Sequence, residues 1–238
     1  MNDSNAVKRT NEFGQPIGHD LGEWSSPEFP PSTTHQGRTV ALEPLSAALH
    51  AEALLSVFDT VEDSLWTYLP FGPFDSLEAL TALIDNLVAR PDWLPFAVAV
   101  DGTTIGFLSY LRVEPTSGTF EIGSIVFGPG LSRTTAATEA LFLLLDHGFE
   151  LGYRRGEWKC DALNEPSREA AERLGFVYEG TFANATHYKG RNRDTAWFGI
   201  TSERWPELRA AFVAWLDADN FDEVGRQRRP LGSFRPSS

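Results

Sequence analysis

Asn164 and Ser167 stand three residues apart in the segment 158–176, where an apolar stretch gives way to a helical pattern. An Asn side chain carries both a donor and an acceptor, and a Ser hydroxyl donates and accepts. At a strand-to-helix elbow such a pair can contribute to a binding site. Each also has an ordinary structural use, Asn in turns and Ser at helix starts. Cys160, the chain's single cysteine, could carry an acyl group, yet no His lies near it in sequence to activate the thiol. A small buried apolar residue is the better reading. Glu121, and second to it Asp161, are strand carboxylates that can accept a proton. For Glu121 the structural alternative is an ion pair with Arg112, and for Asp161 it is the orientation of a neighbouring loop. His19, His35, His50, His147 and His187 show no metal-ligand spacing and no accompanying Cys cluster, so no metal is expected.

These groups need elements to position them. A helix begins near Thr134, with Ala137, Leu141, Leu144, Leu145 and Gly148 on one face, and a strand follows at 157–162. The helix start offers backbone N–H groups without helical partners, which suit an anion. Pro166 fits the first turn of the next helix, Leu174 ends its periodic segment, and Gly175 fits the left-handed residue that closes it. Upstream, the pattern predicts a strand at 38–44 and helices at 47–58 and 76–90, the second with Asp75 and Glu78 as a capping box. A hairpin of 96–100 and 105–113 turns at Asp101-Gly102, and a further strand runs over 120–127. Downstream, 177–182 and 194–200 read as an antiparallel pair, and Ser202 as the cap of a last helix carrying Trp205, Leu208, Phe212 and Trp215. The segment 65–74 holds Trp66, Tyr68, Phe71 and Phe74. Trp66 and Tyr68 either frame an apolar binding wall or cover the sheet edge, while Phe71 and Phe74 read as core.

At 238 residues, with 42% apolar composition, seven Trp and seventeen Phe, the chain fits one domain with a substantial core. Pro-rich residues 1–35 read as an extended arm that Trp24 and Phe29 can pin, 36–217 as the domain, and 218–238 as a polar tail. No stretch approaches the roughly 20 apolar residues of a membrane span. The N-terminus lacks a secretory pattern, so no membrane partner and a cytoplasmic location are expected. The net charge of −13 argues against nucleic acid, and a cationic or amine substrate fits it better, but its main reading is solubility, and charge alone names no ligand. A homodimer is an admissible assembly.

The Asn164-x-x-Ser167 elbow followed by Arg173-Leu174-Gly175-Phe176 resembles the fourth helix region of the GNAT acetyltransferase superfamily. Glu121-Ile122-Gly123 and Lys189-Gly190-Arg191-Asn192-Arg193-Asp194 resemble its branch of ribosomal-protein N-terminal acetyltransferases. The order of elements from 38 to 198 is similar to the GNAT fold. The resemblance implies an α/β (α+β) fold, with a mixed, mostly antiparallel sheet of six to seven strands and helices on both faces. It implies acetyl-coenzyme A as co-substrate, lying in a slot between strands that splay apart. Backbone along Ile125, Val126 and Phe127, the loop of Ser132, Arg133, Thr134, Thr135, Ala136, Ala137 and Thr138, and Asn164 and Ser167 would hold it. That loop departs from the family pattern: Thr135 stands where the first Gly belongs and Ala137 at the second. Arg133 and the Thr134 and Thr138 hydroxyls are the expected compensating donors. Transfer to a primary amine would use Glu121 as base and Ser167 as acid, with Trp66, Tyr68 and Glu121 at the acceptor. The rival reading is a non-catalytic acyl-coenzyme A sensor or assembly subunit.

Overall fold

The computed structural model describes residues 9–18 and 20–235. Parts of the expected arm and tail, at 1–8, 19 and 236–238, lie outside them. β1 (Arg9–Thr10) and β2 (Pro16–Ile17) form a short hairpin of their own. Eight strands build the main sheet: β3 (His35–Gln36), β4 (Ala41–Pro44), β5 (Leu94–Val100), β6 (Thr103–Glu114), β7 (Thr119–Phe127), β8 (Arg155–Asp161), β9 (Val177–Tyr188) and β10 (Arg191–Thr201). Their spatial order is β3-β4-β5-β6-β7-β8-β10-β9. Every neighbouring pair is antiparallel except β7 and β8, which are joined through a helical crossover. The expected six to seven strands become eight because His35, read as the end of the arm, and Gln36, read as the first residue of the domain, pair with Leu42 and Ala41.

Side-chain alternation sorts the strands onto two cores. Phe96, Val98, Leu108, Tyr110, Phe120 and Ile122 join one cluster with α3 (Thr135–Glu150), α4 (Glu165–Leu174) and α5 (Trp205–Leu216). Ala97, Phe107 and Val126, on the opposite face, pack under α1 (Ala47–Phe58) and α2 (Leu77–Val88). In α2 the buried residues Leu80, Ile84 and Leu87 make a single stripe. Each such side chain, fully buried, contributes about 1.5–3 kcal/mol.

Helix ends follow local chemistry, with two corrections. The cap of α2 is Ser76 rather than Asp75, its side chain accepting from the Ala79 N–H at 3.2 Å. Ser202 does not cap α5: its N–H donates to the Arg154 carbonyl at 2.8 Å, which holds it at the end of β10, and the helix starts at Trp205. Gly175 closes α4 with φ of 101°, a left-handed value that favours glycine.

Both flanking segments are attached to the sheet and its helices. The Trp24 indole donates to the Gly152 carbonyl at 2.9 Å, and the Tyr153 hydroxyl to that of Glu28 at 3.0 Å, whereas Phe29 stays exposed. The segment expected as a polar tail folds back as far as Arg235: Leu231 is buried in the main core, and Trp215 Nε1 donates to Gln227 at 2.9 Å. No helix among the described residues is long and apolar enough to cross a membrane.

Candidate functional site

β7 and β8 pair only at Thr119–Arg155, Phe120–Gly156 and Glu121–Glu157. Beyond those rungs the strands run on unpaired with one another, to Phe127 and Asp161. A bulge opposite Leu108 sets Ser124 at φ of 49°, and bulges bend and twist the strand that carries them. Gly123 suits this stretch, since a Cβ there would lie 2.7 Å from the Leu111 side chain. The divergence opens a cleft of about 2090 Å³, lined by both strands and the start of α3. Ile125 and Phe127 line it. Val126 does not: strand alternation turns its side chain into the core under α1 and α2.

At one end of the cleft, Thr134 caps α3, its Oγ1 accepting from the Ala137 N–H at 3.2 Å. Thr135 and Ala136 therefore present the uncapped N–H groups of the first turn, where the helix dipole favours negative charge. Ser132 and Arg133 are exposed on the cleft wall, with Arg133 at φ of 63°. The expectation that the Thr134 and Thr138 hydroxyls serve as direct donors is corrected. Thr134 Oγ1 donates to the Leu131 carbonyl at 2.7 Å, and Thr138 Oγ1 to the Thr134 carbonyl at 3.3 Å while accepting from Arg173 at 3.2 Å. Both protons are spent inside the fold. Burial lowers the pKa of Arg173, a residue the sequence reading had used only as a helix end.

At the elbow, Asn164 Oδ1 accepts from the Ser167 N–H at 3.2 Å and so caps α4. The cap uses its acceptor and leaves the Nδ2 donors. Ser167 Oγ accepts from Trp158 Nε1 at 3.0 Å, which leaves its hydroxyl proton to donate. Cys160 beneath it is 5% exposed, and burial pushes its thiol pKa up against the opposing effect of a Ser167 hydrogen bond. A thiol kept protonated is a poor nucleophile. Asp161 accepts from the Leu163 N–H at 2.9 Å and from the Tyr188 hydroxyl at 2.7 Å, the loop-orienting arrangement. Burial, with the Asp161 hydrogen bond and charge, pushes the Tyr188 phenol up to about 12.

Where the strands separate, Glu121 is 2% exposed and its Oε2 gathers the charges. Arg112 Nε donates to it at 2.8 Å, its Nη2 donates as well, and Lys159 Nζ lies 3.0 Å away. Lys159 also reaches Glu157 at 2.7 Å and lies over the Trp197 ring, 3.7 Å from its centroid. Glu157 is pushed up by burial, but its hydrogen bonds from Lys159 and Arg155 outweigh this and leave it lowered. Lys159 and Trp197 were missed by sequence reasoning. A signal existed in the alternation of Arg155, Glu157 and Lys159 on one face of β8 with Trp158 and Cys160 on the other.

Of the aromatic loop, Tyr68 and Phe71 line the cleft, while Trp66 does not. Trp66 is buried against Phe58 and Phe74, with ring centroids 5.2 and 5.3 Å away. Its carbonyl accepts from Lys189 at 2.9 Å and that of Thr67 from Arg191 at 2.7 Å, so the β9–β10 turn clamps this loop. Among the described residues no cluster of three or more His, Cys, Asp and Glu is arranged to hold a metal ion. Eight of the chain's twenty Lys and Arg line the cleft against five of its thirty-three Asp and Glu. An acidic chain thus has a positively charged cleft.

Residues 39–177 match the acetyltransferase (GNAT) domain family. A GCN5-related N-acetyltransferase from Brucella melitensis is 42% identical, covering 90% of this chain and 99% of that one, with a TM-score of 0.87. A GNAT-family acetyltransferase from Chromobacterium violaceum is 41% identical over 81% of this chain and 98% of that one, with a TM-score of 0.77. The SPbeta prophage-derived N-acetyltransferase YokL of Bacillus subtilis is 25% identical over 150 residues, 63% of this chain and 85% of its own. A parallel pair that splays beside a helix N-terminus, and relatives aligned over nearly their whole length, lead to one conclusion: the chain belongs to the GNAT family of acetyl-coenzyme A-dependent acyltransferases.

Proposed function

We propose that the protein moves acetyl from acetyl-coenzyme A directly to a primary amine, with both substrates bound at once in the cleft. The observation that carries the reading is the separation of β7 from β8 after Glu121 and Glu157, next to the uncapped N–H groups of α3. Acetyl-coenzyme A supplies an activated acyl group as a thioester. The slot edges along Ile125 and Phe127 and the Asn164 Nδ2 donors would hold its amides. Ser132, Arg133 and the backbone N–H groups of Thr135 and Ala136 would hold its phosphates. Ala137 and Thr138 support that turn rather than donate to the ligand, and Val126 contributes backbone alone.

Transfer forms a C–N bond, breaks the C–S bond and moves a proton from nitrogen to the departing sulfur. Ser167, with its hydroxyl proton uncommitted to Trp158, serves as the donor to sulfur. Glu121 takes the amine proton, directly or through water, by the Oε1 edge on the Gly123 side, while Arg112 and Lys159 fix the carboxylate through Oε2. Tyr68 forms part of the acceptor wall. Residues 36–217 act as the catalytic domain, with the segments before and after as extensions.

The test is thiol release on mixing the protein, acetyl-coenzyme A and a panel of primary amines. Amine-dependent release is the expected result. Coenzyme A binding without release from any amine overturns the transferase reading in favour of a sensor, and absence of coenzyme A binding overturns both.

A further inference from the structure

Along β10, Arg193, Thr195 and Trp197 form a row on the cleft wall, while Ala196, Phe198 and Ile200 between and beyond them enter the core. Trp197 lies beneath the Lys159 ammonium, at the ion network on Glu121. The row runs from that network to Arg193, and four residues of strand span about 13 Å. Arg193 ends it without an anionic partner: among the described residues it makes no salt bridge and no hydrogen bond, its guanidinium carbon lies 5.9 Å from the centroid of the Tyr188 ring, and its Nε is buried and unsatisfied. Of the neighbouring strand carboxylates, Asp161, opposite Thr195, is already taken by Tyr188 and Leu163, and Asp194 by the Asn184 N–H and Asn192 Nδ2. The other cations of this wall, Arg112 and Lys159, are neutralised by Glu121 and Glu157. A guanidinium held at a site wall with no carboxylate is an uncompensated charge, and a planar fork of donors matches a carboxylate or phosphate.

We propose that the acceptor is an amine that also carries an anionic group, and that Arg193 binds that group while the nitrogen sits at the Glu121–Lys159 end of the row. The proposal rests on the acetyltransferase reading above and narrows it. It also reverses what the net charge of the chain implies, since a polycationic amine would meet the uncompensated guanidinium of Arg193.

The experiment compares kcat/KM for three pairs, each an anionic amine and its counterpart without the anionic group: leucine and isoamylamine, γ-aminobutyrate and propylamine, phosphoethanolamine and ethanolamine. Rates are referred to the free-amine concentration, and spermidine serves as the polycation. The expected result is a preference of about ten-fold or more for the anionic member of at least one pair, the size of one charge-assisted hydrogen bond. Which pair shows it tells carboxylate from phosphate. Arg193→Gln should bring that ratio close to one, and Arg193→Lys should restore part of it. Ratios at or below one for all three pairs, or spermidine as the best acceptor, overturn the proposal, as does an unchanged ratio in a folded Arg193→Gln protein. Should Arg193→Gln not fold, the wild-type ratios and Arg193→Lys decide. If no amine releases thiol although coenzyme A binds, binding of the same pairs to the coenzyme A-loaded protein is read by Trp fluorescence. Equal or weaker binding of every anionic member then overturns the proposal. Loss of coenzyme A binding itself removes the acetyltransferase reading, and the proposal falls with it.

Discussion

Glu121 and Ser167 each serve two purposes, structural and chemical, and substitutions separate them. Glu121→Gln removes the charge that Arg112 and Lys159 share through one oxygen. Breaking a buried pair costs on the order of 3 kcal/mol, which urea unfolding should report as a lower midpoint at unchanged slope. If Glu121 also accepts the amine proton, kcat should fall about 100-fold or more beyond any loss of folded protein. Ser167→Ala orphans Trp158 Nε1 and costs about 1–3 kcal/mol. Its kcat should fall by a comparable catalytic factor with the coenzyme A dissociation constant unchanged. A stability loss with wild-type kcat would leave Ser167 as no more than the partner of Trp158.

The start of α3 and the edge strand β3 make predictions at the scale of elements. Thr134→Ala removes the cap and should cost about 1 kcal/mol. Because the same turn presents the Thr135 and Ala136 N–H groups, coenzyme A should bind more weakly as well, as calorimetry can measure. Arg133→Ala should weaken binding without the stability loss, since that side chain is exposed. β3 is tied down by His35, whose ring lies against Phe96 and His147 at 5.3 and 4.5 Å. Burial first, and the His147 charge second, lower the His35 pKa to about 4. Burial likewise lowers that of His147, against the opposing charges of Glu150 and Asp146. Both rings thus bind protons more readily in the unfolded chain, whose His pKa is about 6.5. The stability they allow is complete above about 6.5 and is lost as pH falls towards about 4. The melting temperature should drop across that window, and His35→Gln should flatten the drop.

Charge acts at the scale of the whole molecule. The chain carries −13, yet its cleft has an excess of positive side chains. Acid residues elsewhere confer solubility while the cleft focuses anions. Coenzyme A, bound only by the folded state, should raise the melting temperature with concentration, contributing about 2.7 kcal/mol at a hundred times its dissociation constant. Raising salt from about 0.05 to about 0.5 M, which shortens the screening length, should lower kcat/KM for anionic acceptors more than for neutral amines. Equal salt effects on both would mean that the cleft field does not act on the acceptor.

Much of the fold was legible because its signals are local. The stripe of Leu80, Ile84 and Leu87, the Asp101-Gly102 turn, the Thr134 start of α3 and the Gly175 stop of α4 each depend on a few neighbouring residues. The elbow of Asn164 and Ser167 with Arg173-Leu174-Gly175-Phe176 was enough to mark the family. Errors at the ends, Asp75 for Ser76 and Ser202 for Arg204, came from choosing between nearby candidates that only hydrogen-bond geometry separates. What the residues do to one another lay beyond local reading. Trp66 became core because Phe58 and Phe74 close around it. The Thr134 and Thr138 hydroxyls turned inward to carbonyls one helical turn away. Lys159 became the partner of Glu121 because β7 and β8, far apart in the chain, begin side by side before they part. The sign of the cleft was decided the same way: a sequence sums its charges over all residues, whereas tertiary structure selects the few that face a ligand.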